Sequence, residues 1–292
     1  MKEIIEFRIS NEYAHLLLKQ DEGKRNGTNT IIHITKNDPK FEKIRILTQQ
    51  IRGKNDFFFL YSNIKRLYTR KELDAAILFQ MKIKATFEPT GEECGTIYNE
   101  TAACEICGVN RVQIGPLVLK KGSIPKRDIA RTIAGEVVVS EKFTTCYNHR
   151  GLKGGIFEPV VFAKEISGYF QLVAFSELEL SEYTVAGVDL FDFSEGSEPR
   201  EFTISDGHHI KLDGEVYKCP KGHTIGLNLL SEACVLNSHL INDFDFFASK
   251  QKIGVKRGYL RPEPIYFCSP AFKKMVEEEN LNGFEFEIAN ID

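Results

Sequence analysis

The pattern of apolar and polar residues in the first hundred positions predicts a mixture of strands and helices. Segments 2–9 and 30–35 have the pattern of strands, the second with alternating β-branched residues. Residues 39–50 carry apolar side chains at helical spacing, and 56–61 is an apolar run that indicates a buried strand. Thr69 and Glu72 have the spacing of a capping box, which predicts a helix to about residue 81 and then a strand over 82–87. Residues 1–103 are therefore predicted to form an N-terminal α+β region.

The second half of the chain matches itself at a shift of 129 residues. In both copies a β-rich run leads to a serine that suits a helix N-cap, Ser140 or Ser269. A helical pattern follows, and a residue that tolerates the left-handed conformation ends it, Gly151 or Asn280. The match predicts a duplicated strand–helix–strand module, with copies near 137–161 and 266–288, inside a second region over 104–292.

Four residues in two turns have the chemistry of a zinc site. Cys104 and Cys107 form a C-x₂-C-G knuckle, and two thiolates at that spacing chelate one tetrahedral ion. Cys219 and His223 form a second half-site, C-x₃-H in a turn rich in proline and glycine. A Cys₃His set favours Zn²⁺ over Ca²⁺ or Mg²⁺, and four protein ligands leave no open position, so the predicted role is structural.

His208 or His209 is the alternative fourth ligand, because this pair follows a turn-like segment. Each knuckle precedes one copy of the repeat, so a shared ion would join the two halves of the duplication. The overall prediction is an α+β fold of mixed sheets and short helices, with the duplicated module joined at the zinc site.

Composition and charge restrict the class of protein. The chain has 292 residues, 42% of them hydrophobic and 27% charged, which fits a globular protein and excludes a disordered one. Its net charge is −3, which argues against a generally basic nucleic-acid binder. The start is charged and no apolar run reaches membrane-spanning length, so a cytoplasmic location and no membrane partner are expected. Seven cysteines, an odd number, favour reduced thiols over a disulfide framework.

The two knuckles and the C-terminal pattern resemble the double-CXXCG motif immunity proteins of bacteria. That pattern is an Asp-x-Phe element, a strand, a short helix and a Leu-x-Gly-x-x-Phe close. Here it is carried by Asp243-Phe244-Asp245-Phe246-Phe247, residues 264–269, Phe272, Leu281, Gly283 and Phe286. His223 stands where the family has a cysteine. The resemblance covers residues 104–292 and implies a cytoplasmic antidote that binds a cognate protein toxin.

Two other functions are compatible with the residues. A zinc-containing enzyme that acts on a nucleotide or nucleic acid would use the polar segment 95–100 beside the first knuckle. A zinc-ribbon nucleic-acid binder would use the basic residues Lys252, Lys256, Arg257 and Arg261. The sequence contains no P-loop, G-x-G-x-x-G or H-E-x-x-H motif and no nucleophile–base arrangement. We therefore expect a protein that acts by binding.

Overall fold

The computed structural model divides into two units. One is Met1–Ala75 with Asp189–Phe191, and the other is Ala76–Val188 with Asp192–Asp292. The structure describes residues 1–52, 54, 56–163, 165–187, 190–191, 200–203, 209–212, 217–226, 228–237 and 242–292. In this part of the chain no helix is long and apolar enough to cross a membrane. Strands in several sheets and a few short helices make the fold α+β, as predicted.

The first unit is an antiparallel sheet with one long helix packed on it. Its elements are β1 (Lys2–Ser10), β2 (Lys24–Asn26), β3 (Asn29–Ile34), α1 (Pro39–Arg52), β4 (Phe59–Leu67) and α2 (Arg70–Ala75), with a 3₁₀ turn at Ala14–Leu16. The strand order is β2-β3-β1-β4. Alternate residues of β1 are fully buried and share a core with Ile44 and Ile51 of α1. Apolar residues thus recur at strand spacing in β1 and at helical spacing in α1 to form one core.

Two predictions in this region are corrected by the structure. The strand expected at 56–61 begins only at Phe59 and is not buried throughout, because β4 is an edge strand that leaves Leu60 and Tyr61 exposed. Phe57 lies before this strand and is exposed as well. The helix expected from Thr69 to about residue 81 ends at Ala75, although the capping box between Thr69 and Glu72 is present. Residues 79–81 belong instead to a strand of the second unit.

The second unit contains the remaining elements of the described chain. Its helices are α3 (Gly91–Cys94), α4 (Glu141–His149) and α5 (Pro270–Glu278). Its strands are β5 (Phe79–Ile83), β6 (Thr86–Phe87), β7 (Ile97–Asn99), β8 (Val112–Ile114), β9 (Ile129–Thr132), β10 (Val137–Ser140), β11 (Gly155–Phe162), β12 (Glu165–Ala174), β13 (Glu177–Leu178), β14 (Ala186–Gly187), β15 (Arg200–Thr203), β16 (His209–Leu212), β17 (Asn228–Leu229), β18 (Cys234–Val235), β19 (Phe246–Ile253), β20 (Glu263–Cys268), β21 (Phe284–Ile288) and β22 (Asn290–Ile291). The predicted division at residue 103 falls inside this unit, because β5 pairs with β20 and β21.

Two five-stranded sheets of this unit have the same order and register. One runs β11-β12-β10-β9-β6 and the other β21-β5-β20-β19-β13. In each, the last pair is parallel and the other three are antiparallel. Four residue pairs of the first sheet each have a counterpart in the second. Val138–Gln171 corresponds to Phe267–Gln80, and Val139–Ile129 corresponds to Cys268–Phe246. Phe157–Leu172 corresponds to Phe286–Met81, and Phe87–Thr132 corresponds to Leu178–Ser249. The two sheets are topologically equivalent, although β5 of the second sheet precedes all strands of the first sheet in the sequence.

The strand–helix–strand segments at 137–161 and 266–288 have the predicted elements. Ser140 and Ser269 cap their helices by accepting the backbone N–H three residues on, at 3.2 and 3.1 Å. Gly151 and Asn280 have φ of 65° and 50°, in the left-handed region expected after the helix. Phe143 of α4 and Phe272 of α5 lie in contact, with ring centroids 5.8 Å apart. The two helices therefore share one aromatic core, and duplication of the module stays a prediction.

Reciprocal aspartate contacts join the two segments. Asp128 accepts the Ser140 hydroxyl at 2.9 Å and the backbone N–H of Asn282 at 2.8 Å. Asp245 accepts the Ser269 hydroxyl at 2.6 Å and the backbone N–H of Lys153 at 3.0 Å. Each aspartate thus binds the cap serine that precedes one helix and the backbone that follows the other helix.

Candidate metal centre

The first knuckle is a tight turn that requires a glycine. Cys104 accepts a hydrogen bond from the backbone N–H of Gly108 at 2.8 Å and donates its own N–H to Val109 at 2.8 Å. Gly108 has a φ of +74°, and a Cβ there would lie 2.6 Å from the side chain of Lys256. Only glycine meets both conditions without strain. The turn brings the two thiols to one side of the chain.

The second knuckle closes in a similar way, one residue sooner after its cysteine. The backbone N–H of Gly222 donates to the Cys219 carbonyl at 2.7 Å, and the Cys219 N–H donates to the His223 carbonyl at 2.8 Å. Gly222 has a φ of +83°, so the left-handed turn again falls on a glycine. This geometry directs the Cys219 thiol and the His223 ring to the same point.

The fold brings all four predicted ligands together. One donor atom from each of Cys104, Cys107, Cys219 and His223 lies within 4.8 Å of the other three. Nδ1 of His223 lies 3.4 Å from Sγ of Cys219 and 3.6 Å from Sγ of Cys107. Zinc–sulfur and zinc–nitrogen bonds at a tetrahedral angle place these atoms about 3.6 Å apart. The residues present fit a bound metal ion.

The surroundings of Cys104 and Cys107 shift the pKa values of their thiols in opposite directions. Cys107 is fully buried, which raises the pKa of its thiol to about 12, and the neighbouring Cys104 and Cys219 sulfurs add to the rise. Burial also opposes ionisation of Cys104, but hydrogen bonds from the backbone N–H groups of Cys107 and Ile106 and from the Cys107 and Cys219 thiols together hold the pKa of that thiol below its ordinary value. Because a bound cation favours thiolate over thiol, it would offset the penalty at Cys107.

Contacts around the four ligands fix both knuckles. Val109, Tyr217 and Ile225 pack with the cysteines in one buried cluster. Glu105 of the first knuckle and Lys221 of the second form an exposed ion pair at 3.0 Å. The segment after β19 bonds to both turns, with the Lys256 N–H donating to the Cys107 carbonyl at 2.8 Å and the Gly254 N–H to the Thr224 carbonyl at 3.3 Å.

The side chains of the alternative histidine ligands lie outside the described part of the structure, and the other four cysteines lie outside the cluster. His208 is outside the described residues, and so is the side chain of His209. Cys268 is buried in β20, and burial raises the pKa of its thiol well above the ordinary value. Cys94, Cys146 and Cys234 are free thiols outside the cluster.

A buried ionic network beside the first knuckle was not predicted from the sequence. Arg111 and Arg261 each bind the same oxygen of Glu92 at 2.7 Å. The Arg111 guanidinium lies 3.7 Å from the centre of the Tyr98 ring, and the Tyr98 hydroxyl donates to Glu136 at 2.6 Å. Burial raises the pKa of Glu136. These residues come from distant segments without a common spacing, so no sequence motif announces them.

The basic strip proposed for a nucleic-acid binder does not form one exposed surface. Arg261 is buried and paired with Glu92, and Lys252 is half-buried and lines a cavity. Arg257, in contrast, is exposed. These basic residues therefore do not form one exposed row of cations.

Comparison with known proteins finds no matching family model and no matching curated protein. The resemblance to bacterial immunity proteins therefore stays a prediction that rests on its motifs.

Proposed function

We propose that Cys104, Cys107, Cys219 and His223 bind one Zn²⁺ ion in a structural site. Three sulfur donors and one imidazole nitrogen form a set that suits zinc, and their separations suit tetrahedral bonds. All four donors come from the chain, so no coordination position is left for a water or substrate. The metal would hold two distant turns together, and its binding energy would contribute to folding.

The proposed biological role is that of an immunity protein, which binds and neutralises a cognate bacterial toxin. The observation that carries this role is the closed ligand set, since a metal enclosed by the chain stabilises a scaffold instead of reacting with a substrate. A rigid scaffold loses little conformational entropy when it docks, which favours tight inhibition. The choice of a toxin as the partner rests on the motif resemblance over residues 104–292.

Exposed apolar residues in the second unit are compatible with a protein partner. Ile97 and Ile114 face each other across the β7–β8 hairpin and are 64% and 53% exposed. Val112 lies two residues along on the same face and is also exposed. Exposed apolar side chains that are adjacent on one face are typical of protein-binding surfaces.

Co-expression with the toxin encoded by the adjacent gene tests the role. The native chain should restore growth of cells that make the toxin, and the two proteins should co-elute in size-exclusion chromatography. Cys107→Ala should lose protection because it removes a ligand, whereas Cys94→Ala, which removes a thiol outside the cluster, should retain it. Absence of both protection and complex would contradict the role, and so would an intrinsic turnover activity abolished by a single polar substitution.

A further inference from the structure

A small polar cavity lies beside the first knuckle, entirely within the second unit. Its volume is about 160 Å³. It is bounded by Arg111 after the knuckle, Glu136 at the start of β10, Lys252 near the end of β19, and Arg261 with Glu263 at the start of β20. A cavity of about 150 Å³ accommodates a ligand of only a few heavy atoms.

Three cations and two carboxylates line this cavity: Arg111, Lys252, Arg261, Glu136 and Glu263. The side chains of Arg111 and Arg261 are only 9% and 4% exposed and share one oxygen of Glu92, and Arg111 also lies 3.6 Å from Glu100. The Nε of Arg261 is buried with no hydrogen-bond partner. A buried guanidinium N–H without an acceptor is costly, and an anionic ligand would provide one.

Lys252 adds a third cation. In the described part of the chain its ammonium forms no ion pair, and it is the third basic group lining the cavity. Burial lowers the pKa of Lys252; the carboxylate of Glu177 opposes this shift, and the positive charge of Arg111 adds to it. An anion between Lys252 and Arg111 would relieve both of the lowering effects.

The acidic residues on the wall are already engaged. Glu263 forms an ion pair with Arg131. Glu136 accepts the hydroxyls of Tyr98 and Thr132, and its nearest Arg111 nitrogen is 3.7 Å away. In the described part of the chain, these contacts leave the Lys252 ammonium without an ion pair and the Nε of Arg261 without an acceptor.

We propose that this cavity binds a small oxyanion of phosphate size, held by Lys252, Arg111 and the Nε of Arg261. Arginine and lysine are the side chains that proteins use for phosphate, and a site enclosed on several sides strengthens the interaction. The inference does not depend on the immunity role, because it concerns a different group of residues from the metal ligands.

Titration of the metal-loaded full chain with inorganic phosphate tests the proposal. Phosphate at about ten times its dissociation constant should raise the Tm by about 3 °C relative to chloride at the same ionic strength. Lys252→Gln should weaken phosphate binding about tenfold, as measured by isothermal titration calorimetry. Lys250→Gln is the matched control, because Lys250 lies on the same strand but outside the cavity and should bind phosphate normally.

Two results would overturn the proposal. One is native protein that gains no stability from phosphate beyond that from chloride. The other is a Lys252→Gln variant whose Tm rises with phosphate as much as that of the native chain, since general salt effects on the surface would act on both proteins. Zinc content measured in each sample confirms that the variants are compared in the same metal-loaded state.

Discussion

Gly154 and Gly283 occupy equivalent places where the chain leaves a helix and enters the next strand. Their φ values are +100° and +103°, and a Cβ on either would overlap a backbone carbonyl oxygen, of Phe246 and Ile129 respectively. Each glycine lies against a strand of the other five-stranded sheet, Gly154 against β19 and Gly283 against β9. Side-chain size and backbone conformation therefore both exclude other residues there.

Gly283→Ala should lower the free energy of unfolding by more than about 1 kcal/mol, because the backbone oxygen it meets cannot move aside. Gly168→Ala is the matched control, since Gly168 lies in β12 with open space around its Cβ position and no left-handed φ. Urea denaturation of both variants measures the difference. Equal stabilities for the two variants would contradict the close approach.

Glu136 should make stability depend on pH in a direction opposite to that of a paired surface carboxylate. Burial raises its pKa in the folded state above the ordinary value of 4.5. The carboxylate form is therefore penalised, and this penalty appears as the pH rises from 4.5 through the folded pKa. Glu136→Gln does not titrate, so its loss of stability relative to the native chain should be larger at pH 5 than at pH 8. Denaturation at both pH values checks this, and a loss that grows with pH would contradict it.

At the scale of single elements, local signals specified where helices begin and distant contacts decided where other elements lie. The caps at Ser140 and Ser269 and the box at Thr69 were predictable, because a cap bonds within three residues of its own helix. The identity of residues 79–81 was not, because β5 is defined by pairing with β20 and β21 almost two hundred positions away. Non-local pairing overrides a weak helical pattern in so short a segment.

Each cap serine also binds an aspartate, which makes its loss more costly than that of an isolated cap. Ser140→Ala and Ser269→Ala should each lower the free energy of unfolding by about 1–2 kcal/mol. Lys153→Ala is the control, because Lys153 binds Asp245 through its backbone N–H, which the substitution retains. Thermal or urea unfolding measures all three. Losses below about 0.5 kcal/mol at both serines would contradict the cap assignment.

At the scale of the whole molecule, the metal centre could be predicted from chemistry, whereas the cavity beside it could not. Cysteines and a histidine in two glycine turns are rare enough to be recognised across more than a hundred residues. Arg111, Glu136 and Arg261 are common residue types, and only the folded chain shows that they meet. The matched register of the two sheets is compatible with duplication of one module, with one knuckle preceding each copy, and we propose that origin.

Loss of the metal should affect the two units differently. Cys107→Ala should reduce amide hydrogen-exchange protection in β9, β10, β19 and β20, because the metal's binding energy is part of the folding energy of their unit. Protection in β1 and β3 should remain, since those strands have their own core. Cys94→Ala should leave both units protected. Equal loss in both units would contradict a metal effect confined to the second.

X-ray absorption at the zinc edge of the purified native chain tests the structural metal site most directly. The expected result is about one zinc per chain with three sulfur ligands at about 2.3 Å and one nitrogen at about 2.0 Å. No oxygen ligand should be present, because Cys104, Cys107, Cys219 and His223 complete the tetrahedron. A well-folded protein without zinc, or a zinc ion with an oxygen ligand in place of one of these residues, would contradict a closed structural site.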